Sequence, residues 1–365
     1  MSGLSRRQLL AQGLQLAAGA AGAGLLAGCR PIPRATLLHG RGELPQAWLQ
    51  RLPAPWRAQV LDTPAAVLAA RSRAQLLQLG DGWASSLAPA GLAPLGPTAA
   101  AALSGLDPEL AAAPSRLFRP AGSPALAFPW AFGTWVLLLR NRPDLLARRQ
   151  EGWRLLLEPS LRGRLVLPSS PRLVIELAAR QLAEASSAAA PGALASGAPQ
   201  FPGPQSPGLD AQLRQLRAQA LAFDDVDGLN LLLAGDAEAA VVPSQRAVPL
   251  LRRDQRLAAF LPASGSPLWW NLLLRPAGSA TPPPAAWLEA LAEPPLLERL
   301  IAGGWLPPLP RSQLAPLLAR WPAAVAALLL PPAPVLARCS NLAPLSAAER
   351  ATLQALWDGS AGSAP

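Results

Sequence analysis

The stretch Arg164-Leu165-Val166-Leu167-Pro168-Ser169-Ser170-Pro171-Arg172 constrains the fold more than any other. Leu165, Val166 and Leu167 form a short apolar run suited to a buried parallel strand. Ser170 suits an N-cap and Pro171 the first helical position. Leu173, Val174, Leu177, Ala178 and Leu182 then recur at helical spacing. A strand feeding a helix in this way is the repeating unit of an α/β sheet. The junction lies at the carboxyl end of the strand, where ligands bind in such sheets. Free amides at the helix start, with Arg172 beside them, attract anionic or hydrogen-bonding groups. The same residues also suit an ordinary capped helix.

Similar units recur along the chain. Ala35–Leu38 reads as a strand, with His39-Gly40-Arg41-Gly42 as the loop at its end, and a helix follows near Pro45–Arg51. Strands near Ala58–Leu61 and Leu76–Leu79 flank a helix over Ala65–Ala74, and Gly80-Asp81-Gly82-Trp83 closes the third strand. Phe128–Thr134 leads into a strand over Trp135–Arg140, and a short helix spans Trp153–Leu157. A helix is expected over Asp210–Leu221, and strands over Ala239–Val242, Leu257–Leu261 and Leu268–Leu274. Residues 285–302, 311–330 and 346–357 read as helical. Residues 186–208 are rich in Ala, Ser, Gly and Pro and read as a flexible surface insertion. The alternation argues for α/β lobes with parallel strands.

Composition excludes much chemistry. The chain has no Lys, so all 32 basic residues are Arg and there is no Schiff-base or P-loop lysine. His39 is the only histidine, which rules out a two-histidine metal site. No GxSxG elbow accompanies it, and Cys29 and Cys339 form no CxxC motif. Most enzyme classes are therefore not expected, nor a metal or cofactor; a hydrolase using His39 would need an acidic partner and a nucleophile within hydrogen-bond reach of it. The arginines are scattered without interleaved aromatics, so nucleic acid is not an expected partner. Asp224, Asp225 and Asp227 lack the spacing of a calcium loop and suit helix capping before Gly228.

The N-terminus reads as an export signal. Ser5-Arg6-Arg7-Gln8-Leu9-Leu10 resembles the twin-arginine pattern. An Ala/Gly/Leu-rich run follows from Leu14 to Ala27, too short and small for a membrane span. It ends Leu26-Ala27-Gly28-Cys29, which resembles a bacterial lipobox. The resemblance implies cleavage before Cys29 and lipidation of that cysteine. Cys339 is then alone and reads as a buried thiol.

Four runs together carry a wider resemblance: "PWAFGTWVLLLR" at 129–140, the Trp153–Val174 stretch, "LLLAGDAEAAVVPSQRA" at 231–247, and "LWWNLLLRP" at 268–276. Their order is similar to that of the polyamine-type (spermidine/putrescine-binding) extracellular solute-binding proteins of ABC importers. The resemblance covers most of residues 35–320 and implies an α/β, two-lobed periplasmic-binding-protein fold (type 2) with an interlobe ligand cleft. The implied layout is a signal over 1–28 and an anchored linker over 29–34. Residues 35–132 and 264–310 form one lobe and 133–263 the other. C-terminal helices over 311–358 and a tail over 359–365 complete the chain. A small-molecule ligand, ABC permease subunits and the membrane, through Cys29, are the implied partners of a monomeric, periplasmic, non-enzymatic lipoprotein.

The same resemblance implies the site. First-lobe loops contribute His39, Arg41, Asp81 and Trp83, with Trp130 beside them. Ser170 and Leu173 stand where the family holds acids that grip an ammonium group, and Arg172 lies between them. Trp269 is kept, Asn271 stands in an acid's place, Pro243 replaces an aromatic, and Trp305 follows the Gly303-Gly304 pair. Loss of these carboxylates disfavours a dication, because an unpaired buried ammonium costs several kcal/mol. Arg41 and Arg172 favour an anionic, zwitterionic or neutral ligand. Trp83, Trp269 and Trp305 suit either an apolar wall or a core. A degenerate homologue with a filled cleft, acting as sensor or scaffold, is the alternative.

Overall fold

Short apolar runs closed by Gly or Pro become the strands of one large mixed sheet in the computed structural model. It describes residues 35–87, 89–189, 205–225 and 227–361. The twin-arginine pattern, the lipobox with Cys29, the anchored linker and most of the 186–208 insertion lie outside these residues.

The strands are β1 (Thr36–Gly40), β2 (Arg57–Leu61), β3 (Leu76–Gly80), β4 (Leu92–Ala93), β5 (Ala127–Arg140), β6 (Leu165–Leu167), β7 (Ala220–Phe223), β8 (Ala239–Pro243), β9 (Leu257–Phe260), β10 (Pro267–Pro276) and β11 (Ser340–Asn341). The main order is β2-β1-β3-β10-β5-β8-β6-β7. β1, β2 and β3 are parallel, as are β6, β7 and β8; β5 runs antiparallel to β8, β9 and β10, and β10 antiparallel to β3, β4 and β5 but parallel to β11.

The 14-residue β5 belongs to both halves of the sheet. Residues 127–134 pair with β10, and residues 135–140 pair with β8 and β9. Its side chains alternate between faces. Val136 and Leu138 join the core that includes β1, β3 and β10, whereas Leu137 and Leu139 join a second core around Trp153 and the helix Pro171–Ala189. The two cores therefore lie on opposite faces of this part of the sheet: Val166, Ala240, Val242 and Leu257 of the second half also join the first core, and β5 contributes to both.

The return passage at Ser264-Gly265-Ser266 is clamped from several sides. The Ser266 hydroxyl accepts from Trp135 N at 3.0 Å and donates to Trp135 O at 2.8 Å. The Trp153 indole donates to Gly265 O at 2.9 Å, and the Ser264 hydroxyl donates to Glu184. Arg180, with its side chain fully buried, donates to Ser264 O (3.2 Å), Arg338 O (3.3 Å) and Ser340 Oγ (2.7 Å). A third strand joins this point, because β11 pairs with the start of β10. From there the chain runs into the helix Ala347–Gly359, which opens with a Ser346/Glu349 capping box and packs Leu353, Leu356 and Trp357 on the second core.

Several expectations are corrected. His39 is part of β1, not of a loop. The helix Leu209–Gln219 stops before residue 221, because Ala220–Phe223 pairs with β6 as β7. Asp227 stands at the N-cap of the helix Gly228–Ala234 without a side-chain cap bond. The 285–302 segment is two helices, Ala285–Glu289 and Pro294–Ala302, separated by a 3-10 turn and an extended Glu293 that the Pro294-Pro295 pair requires. The 311–330 segment is likewise split, at Pro322, into Arg311–Leu318 and Ala323–Leu329.

Candidate functional site

The carboxyl ends of β1, β3, β6 and β8 are each followed within six residues by a charged side chain. On the first half-sheet these are Glu43 after β1 and Asp81 after β3; on the second they are Arg172 after β6 and Arg246 after β8.

Asp81 opens the short helix Asp81–Ala84. Burial pushes its carboxyl up to about 6, against a bond from the Trp270 amide at 3.4 Å and the opposing charge of Arg172, which both pull it down. Arg172 is held lower than an ordinary guanidinium by its own burial, while Glu176, Asp81 and Glu349 act the other way. It donates to Leu342 O at 3.4 Å. Glu43 is also raised by burial, with Arg246 and the Gln78 amide opposing. Thus acids of one half-sheet and arginines of the other interact across the rim.

The floor between them is polar and only partly partnered: the Gln78 side-chain oxygen is buried without a hydrogen-bond partner. Asn271 and Gln78, on adjacent strands, are both buried, and Gln78 Nε2 donates to Asn271 Oδ1 at 2.9 Å. That bond uses one lone pair of the Asn271 carbonyl oxygen, and its amide hydrogens remain as donors it can offer a ligand. On the second half-sheet, Asp225 accepts from the Ser169 amide (3.2 Å) and hydroxyl, and the Arg246 guanidinium donates to Asp225 O. Ser170 is exposed at the start of the helix Pro171–Ala189, its carbonyl accepting from Leu173 N (3.1 Å) and Val174 N (3.2 Å). Leu173 is buried in the helix.

Five tryptophans form a continuous series from core to rim. Trp287 and Trp48 stack at 4.1 Å, Trp130 lies 5.1 Å from Trp48, Trp305 lies 4.9 Å from Trp130, and Trp269 meets Trp305 edge-on at 6.1 Å. Trp130 is fully buried, so it supports the series from beneath. Trp269 and Trp305 are 8% and 9% exposed, and the Trp269 indole nitrogen is buried without a hydrogen-bond partner. Trp269 packs on Gly133, where an added Cβ would lie 2.5 Å from both its ring and the Ser244 hydroxyl. Only a glycine lets β5, β10 and the helix Ser244–Leu251 approach this closely.

The remaining expected residues stand further out. Trp83 is 45% exposed. Arg41 pairs with Asp62 at 2.5 Å in full solvent. His39 is buried, with Nδ1 2.9 Å from Gly40 O, and burial lowers its pKa. It lines a surface groove with Gln46, Leu49 and Val60. Sequence reading missed Glu43, Gln78, Asp225, Ser244 and Arg246. No local motif marks them, yet all but Gln78 follow a strand end, the rule that had located Asp81 and Arg172. Among the described residues no cluster of His, Cys, Asp or Glu could hold a metal ion.

These features define the two-lobed fold of the periplasmic substrate-binding proteins. The similar solved structures are, first, a putative spermidine/putrescine ABC transporter protein from Listeria monocytogenes, with a TM-score of 0.64 at 15% identity over 89% of this chain and 98% of that one. A second is the spermidine/putrescine ABC transporter substrate-binding protein PotD of Streptococcus pneumoniae, with a TM-score of 0.68 at 14% identity over the same shares, 89% and 98%. A third is iron-bound HitA from Pseudomonas aeruginosa, with a TM-score of 0.58 at 16% identity over 90% of this chain and 99% of that one. No protein-family model matches the chain, and no curated protein does. At these identities the likeness defines the fold and leaves the ligand to the residues of the site.

Proposed function

We propose that the chain is the substrate-binding component of an ABC importer, capturing a small solute between its lobes and presenting it to a membrane permease. The observation that carries this reading is the opposed rim: Glu43 and Asp81 face Arg246 and Arg172 where β5 crosses between the lobes. Such a rim can close on a solute by hinge motion at Gly133 and Ser264–Ser266. The rim's two arginines disfavour a polyamine, and its acids disfavour a simple anion. A zwitterion or a polar neutral solute meets complementary charge on both sides. His39, Arg41, Trp83, Ser170, Trp269, Asn271 and Trp305 line or flank this volume in the proposed liganded state, with Trp130 as support.

Residues 1–28 act in this reading as a twin-arginine lipoprotein signal, and Cys29 carries the lipid that keeps a monomeric protein in the periplasm. Residues 35–132 with 264–310, and 133–263, are the proposed lobes. Among the described residues no helix is long and apolar enough to cross a membrane. One observation favours the alternative, a non-transporting sensor or scaffold: Trp130, Trp269 and Trp305 already fill space against one another.

A thermal-shift screen of the purified protein against amino acids, organic anions, polyamines and phosphate esters tests the choice, since a ligand of the native state raises Tm saturably. A saturable shift that Arg172→Ala abolishes is the expected result. A shift with spermidine of the same size in wild type and Arg172→Ala refutes the recast pocket. No shift with any compound refutes solute capture from this panel and leaves the scaffold reading.

A further inference from the structure

A large apolar groove lies away from the rim. It has a volume of about 780 Å³ and runs between β9 of the second lobe and the helices Ala323–Leu329 and Ala333–Leu336. Its size falls within the roughly 300–1,000 Å³ of small-molecule sites. Of its lining residues only Arg149 is charged, and the rest are apolar, with Leu251, Leu257, Phe260, Val325 and Leu328 forming much of the wall. An apolar surface of this extent is uncommon on a chain that leaves it to water.

Arg149 is exposed and makes no ion pair or hydrogen bond among the described residues. The neighbouring acids are already engaged: Glu151 and Glu158 both pair with Arg148 at 2.7 Å. A single unpaired cation on an otherwise apolar trough is complementary to a chain-like molecule with one anionic end. It is not complementary to a polyamine, a sugar or a multiply charged solute.

We propose that this groove is a second binding site, separate from the interlobe rim, for a single-chain aliphatic carboxylate. The alkyl chain lies along Leu257, Phe260, Val325 and Leu328, and the carboxylate meets Arg149. A methylene moved from water to such a wall is worth a fixed increment, so each added carbon tightens binding about fourfold until the groove is full.

The test is calorimetric titration of the full chain with octanoate, decanoate and dodecanoate at pH 7.5, each below its micelle concentration. One saturable site is expected, with affinity rising about sixteenfold per two carbons. Arg149→Glu is expected to weaken decanoate binding at least tenfold and to admit decyltrimethylammonium instead. Ala327→Trp, which fills the groove from the neighbouring helix, is expected to abolish binding of both while leaving the melting temperature of the unliganded protein within a few degrees. Absence of saturable binding overturns the proposal. So does an affinity independent of chain length, or one that Arg149→Glu and Ala327→Trp leave unchanged.

Discussion

Replacing Arg180 with Met tests whether the hinge is held by one buried cation. The arginine side chain is fully buried and its guanidinium spans three segments: Glu176 on its own helix (3.3 Å), Ser264 O on the return passage (3.2 Å), and Arg338 O and Ser340 Oγ beside β11 (3.3 and 2.7 Å). Methionine fills most of the space but donates nothing. Two part-buried carbonyls then lose their partner, at up to about 1–3 kcal/mol each. Glu176 loses its cation, although Ser340 Oγ still donates to it at 3.1 Å. Removing one member of a buried pair costs about 3–5 kcal/mol in other proteins, and the same range is expected here. For a chain of this length that is a fall in Tm of roughly 4–7 °C. Arg180→Lys is expected to recover little, since a single ammonium cannot span the three segments. Urea denaturation with intrinsic tryptophan fluorescence gives the free energy, and small-angle scattering gives the mean opening of the lobes. A variant within 1 kcal/mol of wild type, with unchanged scattering, refutes the view that Arg180 fastens the hinge.

Other outcomes follow from single positions. Asn271→Asp keeps the acceptor for Gln78 Nε2 but adds a charge at a site only 3% exposed. It should lose about 2–4 kcal/mol in a melt without ligand and gain measurable spermidine binding by calorimetry; equal stability and no gain would count against the donor role of Asn271. Asp81, with its carboxyl raised from 3.8 to about 6, binds its proton more tightly folded than unfolded. Its contribution is therefore present below pH 4 and lost as pH rises through 6, a difference of about 3 kcal/mol at most. Asp81→Asn should flatten the stability profile between pH 4 and 6, and an unchanged slope would remove Asp81 as its source. Gly265 has φ +82°, and an added Cβ would lie 2.3 Å from Arg338 O. Gly265→Ala should destabilise by at least about 2 kcal/mol in denaturant unfolding.

The elements legible in the sequence are those whose signals are local. Leu165–Leu167 and the helix starting at Pro171 stand where the apolar run and the proline put them. β7 escaped because Ala220-Leu221-Ala222-Phe223 continues a helical pattern, and only its pairing with β6 makes it a strand. The broken 285–302 segment carried its own signal in Pro294-Pro295, which the apolar periodicity masked. The site was half legible for the same reason. Asp81 and Arg172 sit beside glycine and proline punctuation that marks a strand end. Glu43 and Arg246 stand beside similar punctuation, Gly42 and Pro243, but nothing local pairs them, and they become neighbours only through the crossing of β5. The hinge clamp was not legible at all, because Arg180, Ser264 and Arg338 are linked by tertiary packing and no spacing rule joins them.

The charge layout bears on how the proposed cleft chooses a ligand. Its acids and arginines lie on opposite lobes, so without a ligand each partly neutralises the other across the gap. Burial disfavours the charged form of Asp81, Glu43 and Arg172 alike. A solute that brings both an ammonium and a carboxylate replaces each cross-lobe attraction with a direct pair and lets the lobes close around it. A dication satisfies the acids but leaves the arginines facing a like charge, and a dianion does the reverse. Closure then selects a ligand by matching both lobes at once, and affinity for either half alone is not enough. The buried Gln78–Asn271 pair bears on the same choice from the floor, since the Asn271 amide hydrogens remain to donate.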